Sequence, residues 1–361
     1  MNNPLLTLHK LGQRVWLDNL SRTLLEEGVL QRLIAEDGLA GVTSNPTIFF
    51  KAISESPHYR DELAQLKRDR ELTPERRYER LAIRDIQAAC DLFHPLYVRT
   101  DGEDGYVSLE VSPALAYDAQ RTVEAGLRLK AEVNRANLLI KVPATKPGLK
   151  AIEQLIGQGC SVNVTLMFSL DHVRDVSKAY MQGIEQWLGR SGADPRPIKS
   201  VASLFLSRVD TLVDRRLEAL GGDARALLGR AGVALAKLAY HEYNTVFRGP
   251  LFAPLAAKGA RSQYLLWAST GTKNPAYSDV MYVEGLIGPE TINTLPDATL
   301  AAFRDHGRAA LTLEQGIDDA REVFATLAGL GILMGEVGDQ LQDEGVKLFQ
   351  RSFDELTALV G

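Results

Sequence analysis

The sequence predicts a (β/α)8 barrel. Eight short apolar segments alternate with helical patterns along most of its 361 residues, and polar residues collect at the carboxyl ends of those segments. Strand alternating with helix indicates a parallel sheet covered by helices. Eight strands is the number that closes such a sheet, with chemistry at the strands' carboxyl ends. An open doubly wound sheet is the alternative.

The first strand, Arg14–Asp18, runs through Val15-Trp16-Leu17 into an acid. A helical pattern over Arg22–Glu36 follows, then a strand over Leu39–Ser44 that ends in Asn45-Pro46. The third and fourth strands, Tyr106–Val111 and Leu138–Val142, flank a helical pattern over Pro113–Asn137. Helices over Gly148–Gln158 and Leu170–Gly189 separate the fourth strand from Val162–Phe168 and Lys199–Phe205. A doubled helical stretch, Val209–Leu220 and Asp223–Phe247, precedes Gln263–Ala268, and a weaker strand lies around Glu290–Leu295. Runs of four to eight branched apolar residues bounded by Pro and Gly read as buried strands.

A minimal barrel takes roughly 250 residues, so the surplus must be placed. One excess block, highly charged and helical in pattern, fills residues 51–104, and further helices, including Asp339–Leu359, fill about 297–360. No Gly/Ser-rich linker marks a boundary, so residues 1–361 are expected to form one elaborated barrel. The charged block balances acids against bases and reads as a solvated helical face.

Composition excludes several functions. A net charge of −5 gives no global field favouring nucleic acid or an anionic membrane, so an anionic substrate must meet local positive groups. No apolar run approaches the roughly 20 residues of a membrane span, and the start of the chain has no secretory-type apolar core. Cys90 and Cys160 stand apart from any CxxC pattern, as expected of reduced thiols in a cytoplasmic protein. The six histidines are scattered without zinc-type spacing, so no metal site is expected. The sequence favours neither a monomer nor a homodimer.

The residue that narrows the chemistry is Lys141, inside the apolar run Leu138-Leu139-Ile140-Lys141-Val142. A lysine in a buried strand is costly unless its charge is paired or its proton is lost, and neutral lysines serve as amine nucleophiles. A snorkelling strand-end lysine is the bland alternative. Other polar residues share its rim. Asp18 ends the first strand and Asn45 follows the second, although each also suits a helix cap. Glu110 is a mid-strand carboxylate in need of a partner. Asn163 and Thr165, two apart, share a face of the fifth strand. Ser203 and Arg208 stand at the sixth strand and the helix after it, and Ser269 and Lys273 follow the seventh.

These segments resemble transaldolases. GVTSNPTIF (Gly41–Phe49) and LLIKVPAT (Leu138–Thr145) look like the two signature segments of that family. The likeness extends to YVSLEVSP around Glu110, SVNVTLMFS around Thr165 and SLFLSRVD containing Ser203 and Arg208. It is strongest to the longer bacterial members, some of them fused to a sugar-phosphate isomerase that this chain is too short to carry. The resemblance implies a barrel fold, no cofactor, and transfer of a dihydroxyacetone unit between sugar phosphates in the pentose phosphate pathway. It implies Lys141 as the Schiff-base lysine, Asp18 and Glu110 as proton-transfer carboxylates, and Thr165 as holding a catalytic water with Glu110. Asn45 and Asn163 would bind hydroxyls, and Ser203 and Arg208 phosphate. Many relatives carry a second phosphate-binding arginine where this chain reads STGTKNP. Lys273, with Ser269 nearby, is the expected substitute, a point charge in place of a bidentate fork.

Two rivals use a lysine imine differently. A fructose 6-phosphate aldolase would release dihydroxyacetone without an acceptor, but those relatives are shorter and put a tyrosine at the position of Glu110. A pyridoxal-phosphate barrel would hold its cofactor on Lys141 and purify yellow. A non-catalytic sugar-phosphate binder would form no adduct at all.

Overall fold

The computed structural model describes residues 3–361. Its centre is a closed, all-parallel barrel whose strands follow chain order: β1 (Gln13–Leu17), β2 (Gly41–Val42), β3 (Tyr106–Glu110), β4 (Leu138–Pro143), β5 (Val162–Met167), β6 (Ser200–Phe205), β7 (Tyr264–Ala268) and β8 (Thr291–Leu295). β8 pairs with β1 over all five of its residues and closes the ring. Every residue of β3 to β6 and of β8 is buried. Side chains on one face fill the barrel while those on the other meet the helices, which is why these strands read as continuous apolar runs.

The helices depart from the sequence reading where the backbone needs a break. The pattern over Arg22–Glu36 is two helices, Arg22–Glu26 and Val29–Glu36, because Gly28 between them takes φ 68°. The pattern from Pro113 is a single 3-10 turn, Pro113–Leu115, followed by Ala119–Val133 capped by Asp118. The final helix starts earlier than expected, at Met334, and runs to Val360. β2 is two residues long where six were expected, since the chain after Val42 turns toward the helix that Asn45 caps.

The surplus helices brace the mouth of the barrel. The charged block forms Arg60–Arg68 and Pro74–Arg99, not a solvated face alone. Buried Asp85 on the second of these accepts from Arg22 Nε at 2.9 Å and from the Tyr59 hydroxyl at 2.7 Å. Glu62 takes Arg22 Nη1 at 2.6 Å, and the guanidinium lies 4.4 Å over the Tyr59 ring. This network fixes the start of the helix that follows β1, four residues after Asp18. Arg77 holds the carbonyls of Val360 and Gly361, tying the block to the end of the chain. Among the described residues no helix is long and apolar enough to cross a membrane.

Candidate active site

Lys141 projects from β4 and is only 4% exposed. Parallel register sets Glu110 of β3 beside it on one side and Asn163 of β5 on the other. Its Nζ donates to the Ser44 carbonyl at 3.0 Å and stands 3.2 Å from Glu110 Oε2. That second approach is an ion pair rather than a directed hydrogen bond, for Glu110 Oε2 has no hydrogen-bond partner. Burial pushes the Glu110 carboxyl above the ordinary range, against the pull of the Lys141 charge.

A cavity of about 410 Å³ opens at the carboxyl ends of the strands, with Lys141 in its wall. Asp18, Asn45, Thr165, Ser203, Arg208, Ser269 and Lys273 line the same cavity, so eight of the ten residues singled out from the sequence meet there. Asp18 Oδ1 accepts from Thr43 Oγ1 at 2.8 Å. Burial raises its pKa, while Lys141, the Thr43 bond and Arg208 act the other way. Asn45 is a cap and a wall residue at once: its Oδ1 accepts from Ile48 N at 3.0 Å, which leaves the Nδ2 group for a ligand.

The other two lie behind the wall. Asn163 is fully buried; its Nδ2 donates to Ser108 Oγ at 2.9 Å and its Oδ1 accepts from Ser203 Oγ at 2.7 Å. It therefore meets the cavity through Ser203. Glu110 faces a small recess beside Tyr78 and Phe353. Thr165 is in the wall, two residues nearer the carboxyl end of β5 than Asn163, just before Leu166 takes φ 59° at an irregularity between Val164 and Met167. Its Oγ1 is buried without a hydrogen-bond partner, like Glu110 Oε2.

At the rim Arg208 is half-buried between two rings, 5.5 Å from Phe205 and 5.9 Å from Phe349. Burial lowers its pKa, and Asp18 and Glu344, the acids that counter this, are not hydrogen-bonded to it. The helix start at Ser207 contributes less than a free N-terminus would. Ser207 N is bonded to the Ser269 carbonyl, and Val209 N and Asp210 N to that of Leu206. The positive pole here is the guanidinium rather than backbone N–H groups. Lys273 is exposed on the far lip, and Ser269, at φ 54°, shares a 2.8 Å hydroxyl contact with Ser207.

Sequence reasoning missed Thr43, Phe205, Thr294 and Phe349, all in the cavity wall. Thr43 and Phe205 lie inside segments already singled out, so strand-end position was an available signal. Phe349 gave none, because it comes from a helix far along the chain. No group of His, Cys, Asp and Glu side chains among the described residues is arranged to hold a metal ion.

The chain matches the family model described as Transaldolase/Fructose-6-phosphate aldolase over residues 15–360. It is 56% identical over 353 residues to a transaldolase of Thiobacillus denitrificans, covering 98% of each chain. It is 48% identical over 348 residues to one of Neisseria gonorrhoeae, covering 96% of this chain and 97% of the relative. A transaldolase of Frankia alni is 45% identical over 362 residues, covering 100% of this chain and 97% of that one.

Proposed function

Because the chain belongs to the transaldolase/fructose-6-phosphate aldolase family, we propose that Lys141 carries its transaldolase activity as a Schiff-base nucleophile. The reaction moves a dihydroxyacetone unit from sedoheptulose 7-phosphate to glyceraldehyde 3-phosphate, giving erythrose 4-phosphate and fructose 6-phosphate. Breaking a carbon–carbon bond beside a ketone leaves a carbanion, and an iminium on Lys141 is the electron sink that makes it bearable. The single observation supporting this reading is a buried lysine in a cavity wall, 3.2 Å from one carboxylate and sharing the cavity with another.

Transfer of a proton from Lys141 to Glu110 across their 3.2 Å pair leaves a neutral amine, which adds to the ketone, and the carbinolamine must then lose hydroxide as water. Glu110 is the proton donor for that step, supported by a pKa raised through burial toward the working range. Glu110 Oε2 and Thr165 Oγ1 are both buried without a hydrogen-bond partner, and a water held between them would relay the proton. Asp18 then takes the proton of the C4 hydroxyl, the C3–C4 bond breaks, and its electron pair neutralises the iminium as an enamine. The aldose phosphate leaves, an acceptor aldehyde enters, and the steps reverse. Asn45 and the Asn163–Ser203 pair would meet the hydroxyls of the three-carbon unit. Arg208, aided by Lys273 and Ser269, would hold the phosphate at the rim.

The whole chain is proposed to act as one catalytic unit in the cytoplasm, since the C-terminal helix walls the cavity and the charged block is tied to it. Borohydride reduction with fructose 6-phosphate, followed by peptide mass mapping, tests the reading. A sugar-derived mass is expected on the peptide containing Lys141 and not in Lys141→Met. A folded Lys141→Met that still exchanges the triose unit at the parent rate would end it.

A further inference from the structure

The helix Met334–Val360 crosses the open end of the barrel and aims one stripe, from Gln342 through Gly345 to Phe349, at the site. Gln342 Nε2 donates to the carbonyls of Ala144 and Leu166, both at 3.0 Å. The first carbonyl is on the residue just past the end of β4, three after Lys141, and the second is at the β5 bulge, next to Thr165. A Cβ on Gly345 would stand 2.9 Å from a Leu166 methyl and 3.7 Å from Arg208 Nη1. The helix can lie this close because position 345 is glycine. Ser352, further along, is bonded to Thr47 at 2.8 Å. The helix is thus pinned on both sides of Phe349.

Phe349 is 3% exposed, and its ring centroid is 5.7 Å from Lys141 Nζ and 5.9 Å from Arg208 Cζ. It spans the interval between the amine that would carry the triose unit and the guanidinium that would hold the acceptor's phosphate. We propose that Phe349 is a specificity-determining residue for transfer over hydrolysis: its ring excludes water from the Lys141 enamine and steadies the Arg208 guanidinium for a phosphorylated acceptor. This rests on Lys141 as the Schiff-base residue.

Hydrolysis is the competing fate of the enamine. A proton of water bonds to the enamine carbon, the resulting iminium takes up the water oxygen as the ketone, and the second hydrogen returns to the Lys141 amine. One water is consumed and dihydroxyacetone is released. A rigid ring over the amine slows this by occupying the approach, while the aldehyde enters from the phosphate side. The same ring face attracts the guanidinium and restricts its swing.

Phe349→Ala and Phe349→Leu in the full chain separate the two effects. Each is assayed for dihydroxyacetone release from fructose 6-phosphate alone, for transfer to erythrose 4-phosphate, and for borohydride adduct on Lys141. Phe349→Ala is expected to raise the ratio of hydrolysis to transfer on the order of tenfold and to raise KM for the acceptor similarly, with the adduct still forming. Phe349→Leu, which refills most of the volume without a π face, should restore the ratio but not the KM. An unchanged ratio and KM in a folded Phe349→Ala overturn the proposal. If that variant does not fold, an unchanged KM in Phe349→Leu together with an unchanged ratio in Gln342→Ala, which frees the helix, does the same. Failure of the parent to form an adduct on Lys141 would instead remove the Schiff-base reading itself.

Discussion

Replacing Asp18 by Asn separates bond cleavage from imine formation. The substitution keeps shape, and the Asn Oδ1 can still accept the 2.8 Å bond from Thr43. What is lost is a carboxylate able to take the C4 hydroxyl proton. A positioned base contributes roughly 10² to 10⁴ in rate, or about 2.7–5.4 kcal/mol of transition-state free energy at about 1.36 kcal/mol per decade. The kcat for transfer from fructose 6-phosphate to erythrose 4-phosphate should fall by that range while borohydride still traps the sugar on Lys141. Stability should move the opposite way. Burial raises the Asp18 pKa in the fold, so the folded state binds this proton more tightly than the unfolded chain, and stability falls as pH rises through the raised value. Asp18→Asn removes that cost: its Tm should exceed the parent's at pH 8, and the gap should close as pH falls below the folded pKa. The parent's kcat should drop on the acid side of the same titration. A folded variant with near-parent kcat, or one that no longer traps sugar, would refute this division of roles.

Thr165→Val deletes a buried hydroxyl that has no partner, so stability should hold or rise slightly while adduct formation slows by about two decades, read from the rate of borohydride trapping. Arg208→Ala removes charged hydrogen bonds worth roughly 1.5–3 kcal/mol and should raise KM for phosphorylated substrates about 10- to 100-fold, leaving unphosphorylated dihydroxyacetone unaffected as a donor. Lys273→Ala, losing only an exposed point charge, should cost within about 1 kcal/mol, an effect that added salt erases in the same assay. Asp85→Ala strands the buried Arg22 guanidinium and should cost about 3–5 kcal/mol by urea unfolding; unchanged stability would show that Glu62 alone satisfies Arg22.

The eight strand–helix units and the place of Asp18, Lys141 and Arg208 at or just after strand ends were legible in the sequence alone. Each rests on local information: branched apolar runs that end in polar residues, at a spacing that returns every strand end to one side of the sheet. Closure into a barrel, against the open doubly wound alternative, is decided by the pairing of β8 with β1. Asn45 could be read as cap or ligand, and it occupies a place where it can be both. The sequence could not tell that Asn163 stands behind the wall while Thr165 stands in it. They share a face of β5, but Thr165 lies two residues nearer the mouth, and Asn163 is covered by Ser203 from the neighbouring strand. Nor could it show that Phe349 closes over Lys141 and Arg208 or that the charged helices brace the loop after Asp18. Those contacts join segments far apart in the chain, and periodicity reports which face of a helix is apolar but not which distant strand end that face will cover.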